Sequence, residues 1–220
     1  MEYNKETKTV IISYQFNEEI ENIPIETENI IINTFYFKIP LNLPPNITNI
    51  IFSSESLINE KIDFLPQSLI KIILSNFFNQ KVNNLPKNLA FISFKHDFNQ
   101  KINKFPKNLT HLSFDNFFEQ KVGNLPKNLK YLKISWYWNN EKNIIPKNIK
   151  ELSLTCNNNL INNVPENVEK LYILFSYGEG HNKKVENLPL TIKEIIIEDE
   201  KFQKYIKIPF GCILTIKKIE

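Results

Sequence analysis

The sequence predicts a mainly β protein: a single-domain solenoid of about 20-residue turns, with parallel in-register strands and little helix. Three observations predict it. Prolines fall at Pro24, Pro44, Pro66, Pro86, Pro106, Pro126, Pro146, Pro165, Pro189 and Pro209, with spacings of 20, 22, 20, 20, 20, 20, 19, 24 and 20. Positions at fixed offsets from each proline repeat the same apolar chemistry. No stretch between them carries a sustained 3.6-residue period, so no regular helix fits inside a turn.

Each element of the turn follows from its offset. Before the proline stands an apolar residue, as in Leu65, Leu85, Phe105 and Leu125, and three residues after it comes Leu69, Leu89, Leu109 or Leu129. Six and eight residues after it come pairs such as Ile72 and Leu74, Ile92 and Phe94, Leu112 and Phe114, and Leu152 and Leu154. That alternation of period two puts both side chains on one face of a short strand. Eight residues before the proline an aromatic row runs through Phe16, Tyr36, Phe78, Phe98, Phe118 and Trp138, with Ile58 as a substitute, and four before it come residues such as Ile20, Val82 and Ile102. One strand cannot bury its own apolar face, so the turns stack, with strands about 4.8 Å apart. Extending the register gives an N-terminal capping strand within residues 1–15, near Val10 to Ile12. Repeats follow over 16–209, and a C-terminal capping strand within 210–220, near Leu214 to Ile216. About eleven strands then span on the order of 50 Å.

The strings Phe16-Asn17 with Ile23-Pro24, Phe78-Asn79-Gln80 with Leu85-Pro86, and Phe98-Asn99-Gln100 with Phe105-Pro106 resemble FNIP repeats, a variant of the leucine-rich repeat. The resemblance covers nearly the whole chain. It departs at Asn157 and His181, where the aromatic row is lost, and at four extra residues before Pro189, which place an insertion loop near 175–186. FNIP arrays are known from social amoebae and from giant viruses that infect amoebae, where many follow an F-box. Here the register begins by Val10, so no F-box is expected. The resemblance implies a leucine-rich-repeat-like solenoid that binds through an open sheet face, without catalytic residues. Through relatives that carry an F-box it also implies a link to substrate recognition by ubiquitin ligases.

Composition narrows the chemistry. All 27 basic residues are Lys, so the bidentate phosphate and guanine recognition that Arg supplies is missing and nucleic acid is not the expected partner. Four Gly leave little for phosphate loops, and Gly178-Glu179-Gly180-His181 lacks the third glycine and the helix of a dinucleotide site. Two Cys and no N-terminal apolar run point to a reducing cytoplasm, the host's for a viral protein, with no membrane span. His96 and Cys156 share an offset but lie three turns, about 14 Å, apart, so no metal, cofactor, small-molecule substrate or catalytic site is expected.

Three surface features remain. Lysines one residue after proline (Lys87, Lys107, Lys127, Lys147) and five before it (Lys81, Lys101, Lys121) stack into ridges, and residues 81–150 hold thirteen Lys against four acidic residues, while residues 1–30 carry seven Glu and two Lys. Such ridges are solvated turns or an anion- or RNA-binding surface. Asparagines two residues after proline (Asn46, Asn88, Asn108, Asn128, Asn148, Asn167) read as a ladder that satisfies the turn backbone. Residues at odd offsets point away from the core and form the open face: Phe91, Ser93 and Lys95; His111, Ser113 and Asp115; Tyr131, Lys133 and Ser135; Glu151, Ser153 and Thr155; Lys170, Tyr172 and Leu174. Phe91, His111, Tyr131, Lys133 and Tyr172 are the candidate partner-binding residues, and Ser113, the neighbour of the core residue Leu112, is expected to be exposed and tolerant of change. Nearer the start Ile11, Ile31, Ile51 and Ile73 form an exposed apolar row on the same face, of the kind that marks a protein contact. The leading expectation is a noncatalytic protein-interaction scaffold, with anion or RNA binding through the lysine ridges as the alternative.

Overall fold

A computed structural model describes residues 1–13, 22–35, 42–115, 117–122, 124–134, 138, 145–176 and 182–217. Phe16, Ile20, Tyr36, Ser135 and the Gly178 to His181 string lie outside the described residues. Each turn starts with a tight reversal at its proline, whose carbonyl accepts a hydrogen bond from the N–H three residues on, as in Leu89 to Pro86 at 3.1 Å and Leu129 to Pro126 at 3.1 Å. That reversal drives the third side chain inward, and Leu69, Leu89, Leu109 and Leu129 are fully buried.

The chain then extends into a strand. Among the described residues the strands are β1 (Glu2–Asn4), β2 (Thr9–Ile12), β3 (Asn29–Ile32), β4 (Asn49–Phe52), β5 (Lys71–Ile73), β6 (Phe91–Phe94), β7 (His111–Phe114), β8 (Tyr131–Lys133), β9 (Glu151–Thr155), β10 (Lys170–Leu174), β11 (Glu194–Ile197) and β12 (Ile213–Ile216). They form one sheet in chain order. From β2 onward the pairing is parallel and equal offsets meet: Ile92 faces Leu112, which faces Leu132, which faces Leu152, which faces Leu171. Short 3-10 segments at Asn159–Asn163 and Glu200–Tyr205 are the helical content among the described residues. At the first of these Asn158 caps the segment, its Oδ1 accepting from Leu160 N–H at 2.9 Å, where the aromatic row stops.

One strand departs from the expected parallel array. β1 runs antiparallel to β2, with Tyr3 opposite Val10. Asn4 makes the reversal, its Oδ1 accepting from the N–H groups of Glu6 and Thr7, and Lys8 completes it in the left-handed region at φ 48°. Glu2-Tyr3-Asn4 carries no apolar alternation, so nothing in the sequence announces it. At the other end the Pro209 turn has Gly211 at φ 79°, as a type II turn requires, and β12 starts one residue nearer its proline than the other strands.

The core is built from rows that run across the turns. Phe78, Phe98 and Phe118 stack at 6.0 and 5.9 Å between ring centroids, and Phe94 and Phe114 form a second column at 5.4 Å. The columns contact each other at 3.9 Å, Phe94 on Phe98 and Phe114 on Phe118. Two asparagine ladders tie the loops. In the first, Asn88 and Asn128 Nδ2 donate to the carbonyls of Gln67 and Lys107, each at 3.0 Å, as the turn-backbone reading expects. In the second, Asn79 Oδ1 accepts from Asn99 N–H and Gln100 Nε2, both at 3.0 Å, and Asn99 Oδ1 repeats this for Glu119 and Gln120 at 3.1 Å. The Asn and Gln that follow the core phenylalanine are therefore inter-turn fasteners.

Candidate partner-binding face

The strand side chains that point away from the core form three rows across the sheet. Over β6 to β8 the first row is a stack: Phe91 on His111 at 5.6 Å between centroids and His111 on Tyr131 at 5.8 Å, with planes 23° and 25° apart. The parallel register sets this spacing, because equal positions on adjacent strands lie one hydrogen-bonding repeat apart. Lys71 Nζ sits 4.9 Å from the Phe91 centroid, a cation at the end of the stack. Thr110 gives its hydroxyl proton to Ala90 C=O at 3.0 Å and lies 2.8 Å from His111 Nδ1. Nδ1 must then be the donor of that pair, which leaves Nε2 as an acceptor. Burial pushes the His111 pKa below its usual 6.5, with Glu151 opposing and Lys130 and Lys71 assisting, so the ring is neutral at pH 7.

The middle row shows what a small residue allows. Ser153 on β9 faces Lys133 on β8 and Tyr172 on β10, and the Tyr172 ring meets Tyr131 of β8 edge to face at 6.0 Å. Ser153 is completely buried. Burial, then the neighbouring Tyr172, pushes the Tyr131 phenol well above its usual range, so it stays protonated. Tyr172 donates its hydroxyl to Glu151 Oε2 at 3.1 Å and carries Lys170 Nζ 5.7 Å and Lys217 Nζ 6.0 Å from its ring. Lys133 pairs with Asp115 at 2.8 Å, and Lys95 approaches the other carboxylate oxygen at 3.8 Å. Lys170 binds Glu194 at 2.9 Å, and Thr215 adds a hydroxyl bond to the same carboxylate at 2.8 Å; these hold the Glu194 pKa low.

The structure thus brings Phe91, His111 and Tyr131 into one row, sets Lys133 beside Ser113 and Ser153, and joins Tyr172 to Tyr131 across β9. All five are half-buried. The serines correct the sequence reading. Ser93, Ser113, Ser153 and Thr155 are buried, because longer neighbours on strands less than 5 Å away close over a short side chain. The isoleucine row is corrected in the same sense. Ile11, Ile31, Ile51 and Ile73 do align, but each is half-buried against its neighbours. Beside that row Asn49 Nδ2 donates to Asn29 Oδ1 at 2.7 Å. Glu151, Asp115 and Lys95, which hold the candidate residues in place, were read as members of the open face but not as candidate residues; opposite charges at equal or neighbouring offsets on adjacent turns were the signal available.

Elsewhere the chemistry is sparse. Among the described residues no three His, Cys, Asp or Glu side chains are grouped so as to hold a metal ion. Cys156 is fully buried with its thiol 3.2 Å from Asn182 Oδ1, and burial raises its pKa. Lys87, Lys107 and Lys127 are exposed on their ridge, and a groove between turns is lined by Leu85, Lys87, Lys104, Phe105 and Lys107.

Comparison with known proteins agrees with this geometry. The FNIP repeat matches residues 118–157. CroV588, a circular leucine-rich-repeat protein of a giant virus, is similar over 99% of this chain at 21% identity with a TM-score of 0.67, and shares its solenoid architecture. The chain spans 41% of the length of CroV588. YopM from Yersinia enterocolitica is similar over 81% of this chain and 52% of its own length, at 15% identity and a TM-score of 0.36. No curated protein matches the chain. Among the described residues no helix is long and apolar enough to cross a membrane.

Proposed function

We propose that this leucine-rich-repeat-like solenoid is a noncatalytic scaffold of the cytoplasm that binds a protein partner through its open sheet face, centred on Phe91, His111, Tyr131, Lys133 and Tyr172. The observation that carries the reading is the linked cluster of rings and ion pairs on β6 to β10. Its side chains already hold one another, so little conformational freedom is lost when a partner docks. The charges on this patch are paired within the chain, and the acceptor at His111 Nε2 and the partly exposed rings are what it offers. That suits an apolar or aromatic side chain of the partner with a hydrogen-bond donor beside it. The single unit runs over residues 1–220, with caps at 1–15 and 210–220. The resemblance to arrays that follow an F-box makes a ubiquitin-ligase substrate one candidate class of partner.

Tyrosines at the centre of an interface contribute over about 1 kcal/mol each. The double change Tyr131→Ala with Tyr172→Ala should therefore abolish affinity capture of partners from amoeba lysate, while circular dichroism stays that of the parent. The exposed lysine ridge and the groove beside it favour one other reading, binding of an anionic partner such as RNA. If capture survives the tyrosine changes, is lost on replacing Lys87, Lys107 and Lys127 by Gln, and weakens steeply with salt, the ridge is the working surface.

A further inference from the structure

The turns at Pro86, Pro106 and Pro126 carry the same bonds, while one side chain that faces them changes. In each, the proline carbonyl accepts from the N–H three residues on, at 3.1, 3.2 and 3.1 Å. In each, the asparagine two residues after proline donates to a carbonyl of the preceding turn: Asn88 to Gln67 at 3.0 Å, Asn108 to Lys87 at 3.4 Å and Asn128 to Lys107 at 3.0 Å. The residue one after proline is therefore held in the same orientation in all three. Its own N–H, at the second position of the turn, is not used by the turn bond. At Lys87 that N–H donates to Gln67 Oε1 at 3.1 Å, from the side chain at the same position one turn back. One and two turns on, Lys87 and Lys107 stand where Gln67 stood, and an ammonium group accepts no hydrogen bond. Among the described residues the N–H groups of Lys107 and Lys127 accordingly have no acceptor.

Those two donors lie among cations. Lys87, Lys104, Lys107 and Lys127 are exposed, and none forms an ion pair among the described residues. Residues 83–88, 103–108 and 123–128 contain no Asp or Glu. Lys87, Lys104 and Lys107 line the groove between the Pro86 and Pro106 turns, together with the buried Phe105 and Pro106. The arrangement is bounded on both sides. Gln67 closes it one turn earlier, and one turn later Asn148 donates to Leu129 C=O instead, so the turn itself changes.

We propose that this ridge binds an oligophosphate, the phosphate chain of a free polyphosphate or of a nucleotide. Oxygens of its first and third phosphates accept from Lys107 N–H and Lys127 N–H, in the place that Gln67 Oε1 takes one turn earlier. Spacing selects the ligand. Equivalent atoms on adjacent turns lie about 4.8 Å apart, and two successive P–O–P links span that distance. Acidic side chains on one face of an extended peptide recur only about every 6.6 Å, which misses the second donor. Charge selects it as well. Four ammonium groups without a carboxylate call for a ligand of several charges, and the lysine ammonium suits phosphate as a point charge, without the planar fork of Arg. The proposal rests on the ridge being open to anions, the second reading above, and is independent of the sheet face.

Titration calorimetry of the full chain with sodium tripolyphosphate, at fixed ionic strength, should show one-to-one binding that orthophosphate at the same concentration does not reproduce. ATP separates the two sources: binding equal to that of tripolyphosphate supports the phosphate chain alone, and binding at least about tenfold tighter supports a nucleotide. Lys87→Gln should raise the tripolyphosphate dissociation constant at least about tenfold, because it removes a charge and gives Lys107 N–H an acceptor within the chain. Gln67→Lys should do the reverse. It opens a third donor at Lys87 N–H, and a chain of five phosphates should bind it about threefold or more tighter than the parent. Lys81→Gln and Lys101→Gln, on the other ridge, should change little. If a variant loses the parent's circular dichroism, the unaltered chain decides: on adding tripolyphosphate, the amide resonances of Lys107 and Lys127 should move most. No binding of tripolyphosphate, equal losses from the two ridges, or larger shifts elsewhere would overturn the proposal. Single-stranded RNA that binds where tripolyphosphate does not would overturn it too, while leaving the anion reading of the ridge in place.

Discussion

The open face is two surfaces on one backbone. Over β2 to β5 its middle row is four isoleucines, flanked by a hydrogen bond from the Asn49 side-chain amide to that of Asn29 and closed at the turn by a Lys8 to Glu28 ion pair. Over β6 to β11 the same rung positions hold a Phe-His-Tyr stack, sunken serines, an edge-to-face tyrosine pair and ion pairs centred on Asp115 and Glu194. The core rows beneath hardly change between the two. A repeat fold separates its tasks by row: inward rungs are held to one size and chemistry by packing from both neighbours, while outward rungs answer only to the adjacent strand.

That separation can be broken by mutation. Leu112→Ala, on a fully buried inward rung, should cost about 2–5 kcal/mol in urea denaturation, the lost burial plus the cavity left behind. Tyr131→Ala should cost less, roughly 2–3 kcal/mol, from lost area and two ring contacts. Ile51→Ala on the aliphatic side should cost about 1 kcal/mol, since its side chain is only half-buried. Equal costs for Tyr131 and Ile51 would mean the two halves of the face are energetically alike.

A smaller effect sharpens the contrast, because the aromatic half contains a titrating ring and the isoleucine row has none. The folded pKa of His111 lies below the unfolded value, so the unfolded chain binds the proton more readily. Stability should fall as pH drops below about 6.5 and level off once pH is below the lowered folded pKa. His111→Gln should flatten that slope relative to the parent, and an unchanged slope would assign it to the other histidines. Smallest is Glu169, held between Lys150 and Lys193, whose hydrogen bonds bring its pKa down to about 2. Its contribution is present above pH 4.5 and lost as pH falls through about 2; being exposed, it should register as a slight extra acid sensitivity that Lys150→Met together with Lys193→Met removes.

Much of this was readable in the sequence, for a physical reason. Proline spacing and paired apolar offsets are local signals repeated in every turn, so the strands and inward rows follow from arithmetic. β1 was not readable, because Glu2-Tyr3-Asn4 owes its strand to a neighbour and to an asparagine turn, not to its own pattern. The second role of asparagine, at Asn59, Asn79 and Asn99, was hidden because a polar residue beside a core isoleucine or phenylalanine looks like a solvated loop until the turns are stacked. For the outward rows the sequence gives membership and not depth. Whether Ser153 is exposed depends on the length of Lys133 and Tyr172, one strand away on either side.

The ladders that bind each turn to the next have a thermodynamic meaning. The backbone pairs, the amide ladders and the phenylalanine stacks each reach one turn, and only contacts at Tyr172, with Tyr131 and Lys217, reach two among those described here, so the array behaves nearly as a one-dimensional lattice with nearest-neighbour couplings. In such a lattice an interior unit loses two couplings when it opens, and a terminal unit one. β1 gives the turn of β2 a second partner on its outer side. A turn held from both sides should therefore open least readily, and amide exchange should be slowest on the strands beside the phenylalanine columns.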